Sequence, residues 1–205
     1  MSEVTTNETA ACVNLVKLRG TIVHKYRADT WIVLTLAVAP NPPNRDFPKI
    51  YWYDESVEDI DKMYNVGERV ETTGRLRTSK QYPVQSIVGR DIRHISRLFE
   101  AKFGENGEEF QEDFNEVLLK GEFVRATKPS ENSSPEISVV TIKTEINDYT
   151  YYPHITCFER HAQRASEIPE GATVYFIAHV RTKKKESEDG TRYFQTVVCR
   201  NIRVS

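Results

Sequence analysis

Apolar and polar residues alternate along ten short segments of the chain, which are rich in Val, Ile, Tyr and Thr and separated by turn-forming residues. Such segments predict β-strands with one face in a core. In the first half they lie near 15–26, 31–39, 47–53, 69–78 and 82–96. In the second half they lie near 116–127, 136–146, 150–158, 172–184 and 192–204. Helices are predicted near 55–65 and 159–168, after the third strand of each half.

The two halves repeat each other. Residues 14–20 (NLVKLRG) return 101 positions later as residues 115–121 (NEVLLKG), and residues 85–93 return 110 positions later as residues 195–203. Such a repeat predicts two copies of one domain. Five strands with a helix after the third are typical of the OB-fold, a small Greek-key barrel. We therefore predict an all-β chain with two tandem five-stranded OB-fold barrels, each with a short helix between its third and fourth strands.

The predicted layout is a flexible tail at 1–13, OB-fold domains at 14–98 and 115–205, and an acidic linker at 99–114. The net charge of −2 is unevenly divided along the chain. Residues 99–116 carry seven acidic side chains against one lysine and the tail carries two more acids, so the rest of the chain is basic, at +6. Basic repeats favour a nucleic-acid partner.

Other classes of protein are disfavoured by the sequence. No segment approaches the roughly 18 apolar residues that cross a bilayer, and the N-terminus lacks the regions of a signal peptide. We therefore expect a cytoplasmic protein with no membrane partner. The three cysteines fit reduced thiols, and the five histidines lack metal-ligand spacing. Without a phosphate-binding loop or nucleophile elbow, we expect no cofactor, no metal and no enzymatic activity.

Strand alternation assigns residues to the two faces of each barrel. In the third strands, Ile50 and Trp52 match Ile155 and Cys157, so this set should face the interior. The residues between them are aromatic or polar and should face outwards. Exposed rings stack on unpaired bases at about 1–3 kcal/mol per base, and basic side chains neutralise phosphates. The candidate nucleic-acid-binding residues are Lys17, Arg19, Trp31, Phe47, Lys49, Tyr53, Arg75, Arg77, Lys80, Tyr82, Lys120, Tyr152, Phe158, Arg181, Lys183, Lys184, Arg192 and Tyr193.

Residues 152–158 (YPHITCF), 171–174 (GATV), 178–183 (AHVRTK) and 190–193 (GTRY) resemble the bacterial and phage single-stranded DNA-binding protein family. The resemblance implies base stacking on Tyr152 and Phe158, and on Phe47 and Tyr53, with phosphate contacts from outer-face Arg and Lys. It also implies a homodimer with four OB domains. The chain ends in NIRVS, without the acidic tip through which the family recruits replication proteins, so we do not expect that recruitment.

We predict sequence-independent binding and protection of single-stranded DNA in replication, recombination, repair or transfer, in a phage or plasmid context, with RNA as a possible ligand. Two alternatives remain open. One is an OB-fold interaction scaffold without DNA binding, for which Trp31, matched by Ile137, would form a subunit contact. The other is a metal-dependent nuclease that uses the acidic residues between 54 and 61.

Overall fold

The computed structural model describes residues 12–41, 44–54, 56–78, 85–95, 113–128, 136–187 and 190–205, without the side chains of 40–41, 184–187 and 190–193. The first half contains β1 (Val13–Arg27), β2 (Trp31–Asn41), β3 (Asn44–Asp46), β4 (Lys49–Tyr53), α1 (Ser56–Met63), β5 (Arg69–Arg77) and β6 (Ser86–His94). The second contains β7 (Phe114–Ala126), β8 (Ile137–Ile146), β9 (Tyr149–Tyr151), β10 (His154–Phe158), α2 (Arg160–Ser166), β11 (Thr173–Ser187) and β12 (Gly190–Val204).

Each half closes into a barrel with the same topology. In the first, β1 pairs with β2 and β5, β4 joins β2 to β6, and β6 pairs with β5. In the second, the strands close in the equivalent order, which is β7, β8, β10, β12 and β11. The β4–β6 and β10–β12 pairs are parallel and the others are antiparallel. The predicted pair of OB-fold barrels is confirmed, and each has a short helix directly after β4 or β10.

The predicted third strands are too long. The structure has β4 beginning at Lys49 rather than 47, and β10 beginning at His154 rather than 150. Pro48 and Pro153 stand directly before these strands, and a proline has no N–H to donate to a ladder. Each barrel also has a short extra strand, β3 or β9, which the alternation did not predict. The predicted linker lies outside the described residues except for its last two positions.

The interior contains the residues that the alternation assigned to it. Ile50 and Ile155 are fully buried, and Trp52 and Cys157 are 4% and 0% exposed. Complete burial of an aliphatic or aromatic side chain stabilises a fold by about 1.5–3 kcal/mol. This packing fixes which face of each strand points outwards. No helix in the described part of the chain is long and apolar enough to span a membrane.

The barrels are joined through β1 and β7, which pair antiparallel from Val13 opposite Lys120 to Arg19 opposite Phe114. Val16 lies opposite Val117, its own counterpart in the repeat. An antiparallel pair centred on equivalent residues has a local twofold axis, so each half repeats the contacts of the other. The chain therefore forms a pseudosymmetric pair of barrels within one continuous sheet.

Candidate nucleic-acid interface

Four aromatic rings form a continuous row on the outer face of the first barrel, where β2 lies between β1 and β4. The ring centroids are 5.3 Å apart for Tyr26 and Trp31, 5.9 Å for Trp31 and Tyr51, and 6.4 Å for Tyr51 and Tyr53. The last two rings are nearly parallel, with 16° between their planes. The guanidinium carbon of Arg77 lies 5.8 Å from the centre of the Tyr53 ring. We call Tyr26, Trp31, Tyr51 and Tyr53 the aromatic row.

Strand register places these rings together. Trp31 pairs with Tyr53 across β2 and β4, while Val33 pairs with Tyr51 on one side and with Tyr26 on the other. Tyr26 is 53% exposed, and the other three rings are half-buried. Burial, and secondarily the neighbouring Tyr53, raises the pKa of the Tyr51 hydroxyl, which stays neutral at physiological pH. The sequence prediction included Trp31, Tyr53 and Arg77 but missed Tyr26 and Tyr51 as ligand contacts.

The same outer face continues along β2 and β4 into a surface cavity. Thr35 and Lys49 pair in register two residues beyond Val33 and Tyr51, on the same side of the sheet. The cavity has a volume of about 380 Å³ and is lined by Val23, His24, Thr35, Phe47 and Lys49. The structure therefore brings five of the predicted residues to one face of the first barrel: Trp31, Phe47, Lys49, Tyr53 and Arg77.

The second barrel carries different side chains at the positions of the aromatic row. Ile137 pairs with Phe158 as Trp31 pairs with Tyr53, and Val139 pairs with Thr156 as Val33 pairs with Tyr51. The four equivalents of the row are Thr127, Ile137, Thr156 and Phe158. Among them only Phe158 is aromatic, and it is half-buried. The outer faces of the two barrels thus differ in chemistry although their backbones correspond.

Reciprocal hydrogen bonds form a second contact between the barrels, which we call the seam. The backbone N–H of Phe47 donates to Oγ1 of Thr182 at 2.8 Å. In the mirror contact, the N–H of Tyr152 donates to Oγ1 of Thr78 at 3.3 Å. Phe47 matches Tyr152 and Thr78 matches Thr182 in the repeat, so the two bonds are related by the pseudo-twofold axis. Phe47 and Tyr152, predicted as stacking residues, have their backbones in the seam, and the Tyr152 side chain is 37% exposed.

Two glutamines complete the seam. The N–H of Lys49 donates to Oε1 of Gln195 at 3.0 Å, and the N–H of His154 donates to Oε1 of Gln85 at 2.6 Å. Gln85 also donates from Nε2 to the His154 carbonyl at 3.0 Å. Burial, followed by the nearby charge of Arg125, lowers the pKa of His154, which favours its neutral form. These bonds hold the third strand of each barrel against the other barrel.

Lys120 lies on the outer face that alternation predicts but is buried there, and its contact with nucleic acid stays a prediction. Its side chain is on the outer face of β7, but the residue is only 8% exposed, because Val13 and Tyr175 flank it in register on β1 and β11. Its Nζ lies 5.1 Å from the centre of the Tyr175 ring. Lys17, predicted with it, is half-buried on the facing strand β1. Both lie beside the β1–β7 junction, away from the aromatic row.

Arg19 lies at the same junction and is engaged by an acidic partner. Its Nε and Nη2 donate to Oε2 of Glu71 at 3.1 and 2.5 Å, and its guanidinium lies 4.4 Å from the Phe114 ring. Arg93 donates to the other oxygen of Glu71 at 2.7 Å. Burial opposes ionisation of Glu71, but the hydrogen bonds from the two arginines outweigh it and lower the pKa of the carboxyl. The contacts of Arg19 thus serve the junction, and its contact with nucleic acid stays a prediction.

The other predicted residues are spread over several surfaces. Arg75 lies in the seam, with its guanidinium 5.1 Å from the Tyr151 ring of the second barrel. Arg181 and Lys183 are exposed on β11. Lys80 and Tyr82 lie outside the described residues, as do the side chains of Lys184, Arg192 and Tyr193. Nucleic-acid contact at all these positions stays a prediction.

Two of the acidic residues considered for a nuclease site, Asp61 and Glu58, have basic partners. Asp61 accepts hydrogen bonds from Arg27 at 2.7 Å and from Lys25 at 3.0 Å, and these bonds lower the pKa of its carboxyl. Glu58 pairs with Lys62 at 2.6 Å one helical turn away. Within the described ranges, no three His, Cys, Asp or Glu side chains lie close enough together to hold a metal ion.

Comparison with known proteins adds a structural likeness. No family model matches the sequence, and no curated protein matches it. The single-stranded DNA binding protein from Thermus aquaticus, in a deletion mutant, has a similar structure with a TM-score of 0.66 and 14% identity, covering 96% of each chain. Its wild-type form has a TM-score of 0.65 and 15% identity, covering 96% of this chain and 94% of that chain. The chain shares the tandem-barrel fold of that protein over nearly its whole length.

Proposed function

We propose that this protein binds single-stranded DNA with little sequence preference and protects it in replication, recombination, repair or transfer. The observation that carries the proposal is the aromatic row beside Arg77 on the outer face of an OB-fold barrel. Aromatic rings stack on every base, and basic side chains release counterions from the phosphates, so this chemistry is indifferent to sequence. The name of the Thermus aquaticus protein that shares the fold supports the same function.

Tryptophan fluorescence tests the proposal because the two tryptophans occupy different surroundings. Trp31 is in the aromatic row, whereas Trp52 is 4% exposed in the core. Titration with a dT oligonucleotide should quench Trp31 to saturation, and a Trp31→Phe variant should lose most of the quench. The logarithm of the binding constant should fall linearly with the logarithm of the salt concentration. Unchanged emission and unchanged anisotropy of a labelled oligonucleotide at low salt would instead favour a protein-interaction scaffold.

Two further assays define the ligand and the reaction class. Competition between dT and rU oligonucleotides of equal length would separate DNA from RNA, since stacking alone does not distinguish them. Incubation of a labelled strand with Mg²⁺ or Mn²⁺ should leave its length unchanged for a binding protein. Shorter products would support the nuclease alternative, despite the pairing of Asp61 with Lys25 and Arg27.

We also propose that the protein is a homodimer. The outer face beside the β1–β7 junction exposes Tyr175 and Ile177, which are 39% and 38% exposed, next to Leu118 in a shallow groove. If the same face of a second copy packed against it, these apolar residues would be covered. Sedimentation velocity should give twice the chain mass, and Ile177→Asp should reduce it to one chain. A single-chain mass for the wild type would exclude the dimer.

A further inference from the structure

The two barrels are equivalent in backbone but not in the chemistry of their outer faces. We infer that the aromatic row is a base-stacking subsite of the first barrel, and that the second barrel holds the same strand mainly through its phosphates. The inference rests on the proposed function and assigns base stacking mainly to the first barrel and phosphate contact mainly to the second. Two of its four rings, Tyr26 and Tyr51, are not among the nucleic-acid-binding residues predicted from the sequence.

The row is not required to complete the hydrophobic core. Ile22, Ile32 and Ile50 point inwards from β1, β2 and β4 and are fully buried. The rings stand on the opposite side of the same strands, and Tyr26 keeps 53% of its surface exposed. Clustered aromatic side chains left in solvent by a complete core are typical of a binding surface. Their rings are available to a ligand without opening the barrel.

The spacing of the rings favours an extended, unpaired strand. Neighbouring centroids are 5.3–6.4 Å apart. Successive bases in a duplex rise by about 3.4 Å, so bases that follow the row must separate from one another. A duplex resists that separation, whereas a single strand permits it. Arg77, 5.8 Å from Tyr53, would add a cation at the end of the row.

The second barrel keeps cations but only one of the four rings, Phe158. Its exposed Tyr149 and Phe194 lie outside the positions equivalent to the row. Thr127, Ile137 and Thr156 replace three of the four aromatic side chains and offer no π-face to a base. Arg181, the counterpart of Arg77 in the repeat, is exposed on β11. Cations with one ring in place of four favour contact with phosphates, which lie along any strand. The pseudo-twofold arrangement therefore carries two unlike binding surfaces.

Matched substitutions in the full chain test this division. Affinity is measured by the anisotropy of a labelled dT oligonucleotide of about 30 nucleotides, long enough to cover two OB folds at ~4–16 nucleotides each. Tyr26→Ala and Trp31→Ala should each weaken binding by about 5- to 150-fold, the loss of one stacked base. Their counterparts Thr127→Ala and Ile137→Ala should leave the Kd unchanged. Arg181→Gln should lower the slope of log K against log salt by about 1.

A further variant separates stacking from folding. Trp31→Leu keeps an apolar side chain against its neighbours but removes the ring, so it should retain the wild-type urea midpoint and still lose affinity. Equal losses from the two barrels, or no loss from Tyr26→Ala and Trp31→Leu, would overturn the division while leaving DNA binding intact. Absence of binding by the wild type would instead overturn the proposed function, and this inference with it.

Discussion

Substitution of one buried asparagine should strongly destabilise the first barrel. Asn14 is 3% exposed, and its Nδ2 donates to the carbonyl of Leu76 at 2.9 Å. The N–H of Leu76 donates in turn to Oδ1 of Asn14 at 2.8 Å. The backbone register between β1 and β5 extends only as far as Val16 opposite Gly74. The side-chain amide therefore continues the ladder where the backbone pairing ends.

The cost of Asn14→Ala follows from the two groups that it leaves unpaired. A buried N–H or carbonyl without a partner costs about 1–3 kcal/mol. Asn14→Ala leaves both the N–H and the carbonyl of Leu76 unpaired, which should cost about 2–6 kcal/mol. A whole domain is stable by only about 5–15 kcal/mol. We therefore expect Asn14→Ala to remove a large share of the free energy of unfolding of this barrel.

Equilibrium urea unfolding measures this loss, and the repeat supplies a matched variant. Asn115 donates to the Val180 carbonyl at 2.6 Å and accepts from its N–H at 2.8 Å, so Asn115→Ala should cost the second barrel a similar amount. Arg90→Ala, at an exposed position of β6, should change stability by less than about 0.5 kcal/mol. A loss below about 1 kcal/mol for Asn14→Ala would refute the reasoning, because one unpaired buried group alone should exceed it.

Three other predictions concern charge, packing and thiol reactivity. Because folding lowers the pKa of Glu71, the wild type should be more stable than Glu71→Gln above the unfolded pKa of about 4.3. Urea unfolding measured at a series of acidic pH values should show this advantage vanish as the pH falls through the folded-state pKa. Gly89→Ala should cost about 1–3 kcal/mol in urea and alter near-UV dichroism, since its Cβ would overlap the Trp52 ring; an unchanged signal would contradict this. Cys12 should react with a thiol reagent in the native protein before Cys157, which is buried. The hydrogen bond with the Cys199 thiol, and then burial, raise the pKa of Cys157. Equal reaction rates would contradict this prediction.

Much of the fold could be predicted because the core imposes a period of two on each strand. Val16 and Leu18 match Val117 and Leu119 in the repeat, and all four are buried. The same comparison placed Trp52 in the interior, where its counterpart is a cysteine. Agreement between two copies separates positions under packing constraint from those where an apolar residue is incidental.

Alternation failed to predict which way side chains point where the backbone is irregular. The register of β1 against β2 shifts between Ile22 and His24, so an extra residue changes the phase of the strand. Without that shift, Tyr26 would share the inward phase of Ile22, and alternation therefore gave no reason to count it among the outer rings. A bulge leaves little local signature in the side chains. The equivalent shift in β7, between Phe123 and Arg125, appears only from the pairing partners.

Contacts between the barrels were hidden for a different reason. Alternation tells which side of β7 Lys120 is on, but not that Val13 and Tyr175 will flank it. Yet the repeat contained a signal for these contacts in its polar residues. Gln85 and Gln195 recur without contributing to either core, and each accepts a backbone hydrogen bond from the other barrel.

The pseudo-twofold axis accounts for which features the two copies share. A contact across such an axis occurs twice, so a side chain that serves it is required at both equivalent positions. Asn14 and Asn115 each extend a ladder beside the junction, and Thr78 and Thr182 each accept a hydrogen bond across the seam. No such requirement acts on the outer faces, where each barrel meets solvent or ligand on its own. The two copies are therefore expected to differ first in the residues of their outer faces, and the aromatic row lies on the outer face of the first barrel.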